Sequence, residues 1–138
     1  MVTWIRRLAL LATTLVVVAS MNVAVGTAAT GGPLTGTWSG YIVADSHNAV
    51  KPIHIQIVVN AKETGGSWRI SAACRGLLTL DSVSNGYHHF LRKLARGSTC
   101  AGGDIDCLKR AGANVDDLVT SHLGGEYDSA GTLSRVGN

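Results

Sequence analysis

The chain has 138 residues, with 12 Lys and Arg against nine Asp and Glu for a formal charge of +3, and it holds 17 glycines, two prolines and three cysteines. This length supports one core and not two domains of ordinary size. No heptad or long helical period runs through the chain, and its basic residues lack the interleaved aromatics that stack on bases, so a coiled coil and a nucleic-acid binder are both disfavoured.

Met1 to Arg7 carries Arg6 and Arg7 and no acid, Leu8 to Val18 is almost wholly apolar, and small residues lead to Gly26-Thr27-Ala28-Ala29. A basic, then apolar, then small-residue order is that of a signal peptide, so residues 1–29 are expected to be removed and residues 30–138 to form a secreted β-rich domain. The competing reading is a retained membrane anchor, because the apolar character runs far enough to span a bilayer despite Thr13, Thr14, Ser20 and Asn22. No cysteine lies near the cleavage zone to take a lipid. Cleavage removes Arg6 and Arg7 and no acid, leaving ten bases against nine acids. The mature charge is then near +1, and the basic balance that hinted at a polyanionic partner largely disappears.

After the Gly31-Gly32-Pro33 lead-in, the first strand is expected over Leu34 to Val43, bounded by glycines, and Asp45 to Asn48 reads as loop. Ile53 to Val59 alternates cleanly, with Ile53, Ile55, Ile57 and Val59 on one face and His54 and Gln56 on the other. Ser67 to Cys74 puts Trp68, Ile70, Ala72 and Cys74 on an inner face and Arg69 and Ser71 in water. Leu77 to Val83 follows with Leu78 and Leu80 inward. Asn85-Gly86 then marks a hairpin, since both residues tolerate positive φ, and Tyr87 to Leu94 is the returning strand. Arg92, Lys93 and Arg96 read as a solvated strand end. Asp104 to Arg110 is a further strand, with Ile105 and Cys107 inward. Asn114 to Leu123 is ambiguous: Asn114 suits an N-cap, Asp116 and Asp117 a first turn and Gly124 a C-cap, so a short helix competes with a strand. A turn at Asp128 to Gly131 and a last strand over Thr132 to Val136 close the chain. Short strands at roughly ten-residue spacing make the fold mostly β, a single small antiparallel barrel or sandwich, with one helix at most near 114–123. Trp38 and Trp68, the only tryptophans beyond the leader, are expected in its core.

Gly36-Thr37-Trp38-Ser39-Gly40, the Ile-rich strand, Gly65-Gly66, Cys74 with Gly76-Leu77-Leu78-Thr79-Leu80, Arg96-Gly97 before Cys100, and Gly131-Thr132-Leu133 occur in that order. Together they resemble a small secreted bacterial β-domain, found alone or as an extracytoplasmic module of membrane serine/threonine kinases. Members of that type largely have no assigned activity, so the resemblance implies fold and export. Cys107 and the acidic 114–123 segment depart from it. Leu34-Thr35-Gly36-Thr37-Trp38 is also similar to the first-strand signature of avidin and lipocalin barrels, in which the Trp closes the barrel floor. Three cysteines leave one odd. The resemblance best places a Cys74–Cys100 disulfide, with Cys74–Cys107 and Cys100–Cys107 as alternatives. In the first pairing Cys107 remains a free thiol packed as a small apolar residue.

The mature chain contains no Gly-x-Ser-x-Gly elbow, phosphate loop or paired-histidine helix motif. His88 and His89 point to opposite faces of one strand and so do not share a metal. Asp104 and Asp106, beside Gly102-Gly103, share a strand face but lack the further ligands of a calcium loop. No catalytic, cofactor-binding or metal residue is therefore assigned. The expectation is a non-enzymatic binding or sensory domain, recognising its partner through the loops Asp45 to Lys51 and Arg96 to Asp104. The partner is a secreted protein, a cell-surface component or a small ligand, and a membrane only if residues 1–29 are retained. The alternatives are a structural or inhibitor-like protein that docks on another secreted protein, and a barrel that carries a small hydrophobic ligand. An apolar cavity would mark the carrier, and a filled interior would mark surface binding.

Overall fold

A computed structural model describes residues 32–44, 52–100, 102–120 and 127–137. The expected signal peptide and the loop Asp45 to Lys51 lie outside the described residues. Period-two alternation governs every element: β1 (Gly36–Ala44), β2 (Pro52–Val59), β3 (Gly65–Arg69), β4 (Arg75–Ser84), β5 (Tyr87–Leu94), β6 (Ile105–Ala111), β7 (Asn114–Thr120) and β8 (Tyr127–Arg135). Each strand pairs antiparallel with the next, and β8 returns to pair with β1, so the wall is a closed barrel and not a sandwich. Closure gives the outermost hydrogen-bonding groups of β1 and β8 a partner in each other. No described helix is long and apolar enough to cross a membrane.

The inner face gathers the large apolar side chains. Trp38, Ile55, Phe90, Leu108, Val115 and Leu133 are all at 0% exposure, and Trp68 is at 2%. An interior of eight strands is just wide enough for side chains to fill, and surfaces this completely covered leave no water-sized space beside them.

The Asn85-Gly86 hairpin forms as its residues predict, with φ of 52° and 79°. Four expectations are corrected. The segment Asn114–Thr120 is strand and not helix, because Val115 and Val119 enter the core at period two and β7 bridges β6 and β8. Local capping signals lose here to the pairing that closes the barrel. The inward run expected to Cys74 stops at Arg69, and the chain turns back over Ile70 to Cys74, where Ile70 N–H donates to the Cys74 carbonyl at 2.9 Å. The turn expected at Asp128 to Gly131 is continuous β8. Gly131 serves close approach instead, since a Cβ there would stand 2.2 Å from the Tyr41 carbonyl oxygen of β1. Lastly, the face of β6 is the reverse of that expected: Asp106 pairs with core Phe90 and Leu108 with His88, which turns Asp106 and Leu108 inward and Cys107 to the opposite face, where it is buried all the same at 2% exposure.

Candidate functional site

The two ends of the barrel differ. At the lower end Leu34 is buried, and its carbonyl accepts the Trp38 indole N–H at 2.6 Å. The guanidinium carbons of Arg110 and Arg135 lie 4.8 and 4.6 Å from the centre of the Trp38 ring, a double cation–π contact. The Glu63 carboxylate accepts from Leu34 N–H and faces His88 Nε2 at 3.5 Å. These contacts seal that end.

At the upper end the Ile70 to Cys74 turn is joined to the loop after β5. Thr99 N–H donates to the Ala73 carbonyl at 2.8 Å and Ala95 N–H to that of Arg75 at 3.1 Å. The Cys74–Cys100 disulfide locks the two segments, with Cα atoms 5.3 Å apart and a sequence separation of 26. Closing a loop of this length is worth about 3.5 kcal/mol in the chain-entropy model. Reduction is therefore expected to lower the Tm, and a melt unaffected by reductant would show that the hydrogen-bonded loops hold without the bond. Cys107 is free and buried, within 3.2 Å of His89 Nδ1, while His89 Nε2 lies 2.8 Å from Ser84 Oγ. Burial, with the nearby Asp117 and Asp106 charges, pushes the Cys107 thiol up to about 11. The thiol form, which is the poor nucleophile, thus prevails at neutral pH, and alkylation of Cys107 should await unfolding.

Between the ends lies a buried ionic cluster. Arg92, expected in solvent, is only 4% exposed. Its Nε and Nη2 donate to the two carboxylate oxygens of Asp106, itself at 0%, and Nη1 stands 3.7 Å from Asp104. The guanidinium also lies 4.9 Å from the Trp68 ring centre. Burial works against its charge, but Asp106, Asp117 and Asp104 together more than offset this, and Arg92 is held above its ordinary value. Asp117, at 0% exposure, has no donor for either carboxyl oxygen. Burial, reinforced by the Asp106 charge, raises its pKa well above 3.8 despite the opposing Arg92. Protonated, Asp117 carries no charge and becomes a donor to Asp106, and the Arg92 guanidinium is left facing the buried Asp106 carboxylate and the more exposed one of Asp104.

This has a consequence for pH. The folded protein keeps the Asp117 proton where the unfolded chain has lost it. Stability is therefore fully present below the unfolded value and falls, by about 1.4 kcal/mol per pH unit for one proton, as pH rises toward the raised folded value. Asp117→Asn supplies a neutral donor in place of the acid proton. It should flatten that decline and be more stable than the parent at the upper end of the window. Urea melts from pH 4 to 8 test this, and parallel parent and variant curves would refute it.

Outside the wall, over β2, β3 and β4, lies a groove of about 260 Å³. Register builds it. Val58, Ser67 and Leu77 face one another across three strands, and Gln56, Arg69 and Arg75 form the next row toward the disulfide. Small Ser67 between Val58 (37% exposed) and Leu77 (60% exposed) makes the depression, and Ala95 completes a wall. Trp68 and Gly76 also line the groove. Arg75 follows Cys74 directly and Ala95 lies in the loop that Cys100 ties down, so the bond also fixes one side of the groove.

Of the sequence-derived candidates, Trp38 and Trp68 lie inside the barrel, and Cys74 and Cys100 are joined beside the groove. His88 is inward, 6.2 Å from Phe90 between ring centres, and His89 is on the opposite face. Asp104 and Asp106, weighed for calcium, face Arg92 instead. Of the two expected recognition loops, Asp45 to Lys51 is outside the described residues, while Arg96 to Asp104 borders the same end as the groove. The groove itself was missed. Its signal is present in the alternation: Val58 sits out of phase beside Ile57 and Val59, and Leu77 out of phase before Leu78 and Leu80. No family model, no curated protein and no solved structure matches the chain.

Proposed function

We propose that the protein is an exported, non-enzymatic binding domain that recognises its partner on the outer wall of the barrel, in the groove over β2 to β4. The observation that carries this reading is the pairing of an apolar depression outside with a filled interior. Val58 and Leu77 leave apolar surface in water on strands whose inner faces are already complete, and that arrangement suits an added partner more than a carried ligand. Export is supported by the leader-like order of residues 1–29 and by a disulfide, a bond that persists in oxidising compartments.

Chemical-shift mapping of the ¹⁵N-labelled protein with small apolar fragments tests the reading. Perturbations should gather at Val58, Ser67, Leu77 and Ala95. Perturbations gathered at Phe90, Leu108 and Leu133 would favour the hydrophobic-carrier alternative and overturn the outer-wall reading.

A further inference from the structure

We infer that the groove receives the carboxy-terminal end of an extended polypeptide whose last residue has a branched or aromatic side chain. The inference rests on the groove being the binding site and adds the chemistry of what enters it.

The polar groups around the groove are almost all donors. The one side-chain amide oxygen, Gln56 Oε1, already accepts from Arg69 Nη2 at 2.9 Å. Arg75 Nη1 donates to the Ala72 carbonyl at 2.6 Å, and its other guanidinium nitrogens have no partner among the described residues. Neither Arg69 nor Arg75 pairs with a carboxylate among the described residues, and no residue lining the groove is acidic. Lys93, paired with Leu77, adds a third cation on this wall. A surplus of cationic donors that pair with no carboxylate among the described residues is complementary to a carboxylate, which guanidinium groups bind through parallel hydrogen bonds. Val58, Leu77 and Ala95 require that the carboxylate be attached to an apolar group.

Size and the strand edge then favour a polypeptide over a free acid. A volume of about 260 Å³ lies under the roughly 300–1,000 Å³ of sites that engulf a drug-sized molecule, so it accepts about one side chain and leaves the rest of the ligand outside. Beyond the groove the wall offers a place for that remainder. β2 runs from Pro52 to Val59, but β3 pairs only with Gln56 to Val59. From Pro52 to Ile55, β2 is paired with β1 alone among the described residues. Ile53 and Ile55 turn their peptide groups toward β1, and His54 turns its N–H and C=O toward the side where β3 has ended, as Asn60 does in donating to the Gly65 carbonyl, so an extended chain can bond to His54 as an added strand.

The experiment titrates the ¹⁵N-labelled full chain with three probes: an eight-residue peptide ending in a leucine carboxylate and otherwise uncharged, the same peptide with a carboxy-terminal amide, and octanoate. The acid peptide should perturb the amides of Ser67, Leu77 and Ala95 together with that of His54. The amide should bind at least about tenfold more weakly, the equivalent of losing one charge-assisted hydrogen bond. Arg75→Gln should narrow that preference, and Ser67→Trp should remove binding of both peptides while the rest of the spectrum keeps its dispersion. Equal affinity for acid and amide would overturn the carboxylate and leave the groove as the binding site. Octanoate binding as tightly as the acid peptide, with His54 unmoved, would overturn the polypeptide. If no probe reaches the groove the inference fails outright, and the apolar-fragment map then reports separately whether the groove binds anything.

Discussion

Arg92→Leu is expected to destabilise the barrel by about 3–5 kcal/mol, because it strands a buried carboxylate and does not merely delete a contact. Asp106 has no accessible surface, and Arg92 supplies both of its charged donors. With the guanidinium gone, water does not reach the carboxylate, and the proton of Asp117, a neutral donor, does not replace the lost positive charge. The double variant Arg92→Leu/Asp106→Leu removes the stranded charge together with its partner and should recover most of the loss, since a buried ion pair replaced by apolar side chains is often neutral. Urea denaturation of parent, single and double variants gives the comparison. A single variant as stable as the parent, or a double variant worse than the single, would show that the pair does not behave as a desolvated unit. The loss also exceeds what truncating a surface arginine does, where exposed pairs contribute about 0–1 kcal/mol.

The sequence conceals this cluster for a physical reason. Arg92, Lys93 and Arg96 are adjacent in the chain and read as one basic strand end, yet alternation separates Arg92 from Lys93. Phe90 and Arg92 share a face, and Leu78, the cross-strand partner of Arg92, is core. Asp117 sits in the same way between Val115 and Val119. A polar residue in phase with core positions on both sides is the available signal, but single-chain periodicity gives it no partner. The partners come from β5, β6 and β7, and only register brings them together.

What was legible follows the same logic. The strands β1, β2, β4 and β5 and the Asn85-Gly86 turn are encoded locally, in alternation and in positive-φ residues, and closure into a barrel was one of two foreseen outcomes. The failures arise where a local signal has a tertiary use. Gly131 looks like a turn residue but serves to bring β8 against β1, and Asn114 with Asp116 and Asp117 imitates a helix start on a strand that closes the wall. The groove is a third case. Val58 and Leu77 are harmless exposed residues when read singly. Only the pairing of Val58 with Ser67 and of Ser67 with Leu77 turns them into two sides of one depression.

Trp38→Ala is expected to cost about 3–5 kcal/mol, a large share of the roughly 5–15 kcal/mol that holds a domain of this kind together. The indole has no accessible surface and is the largest side chain at the sealed end, so its removal opens a cavity that the paired strands of a closed barrel cannot collapse to fill. The loss also releases two other groups. Arg110 and Arg135 stack on its ring, and Arg110 Nη1 is buried without a hydrogen-bond partner, so alanine leaves that guanidinium without the π-face that compensates its burial. Trp38→Phe separates these contributions: it keeps an aromatic face for both arginines, loses the 2.6 Å hydrogen bond to the Leu34 carbonyl, and should cost only about 1–2 kcal/mol. Denaturant melts of the two variants, with the parent's tryptophan emission as a check on burial, decide the matter. If alanine and phenylalanine cost the same, neither the arginine stacking nor the volume a phenyl ring fills contributes, and the hydrogen bond to the Leu34 carbonyl holds the floor. If alanine costs less than about 1 kcal/mol, Trp38 is not the closing residue of this end, and Leu34 with the Glu63–His88 pair must seal it without the indole.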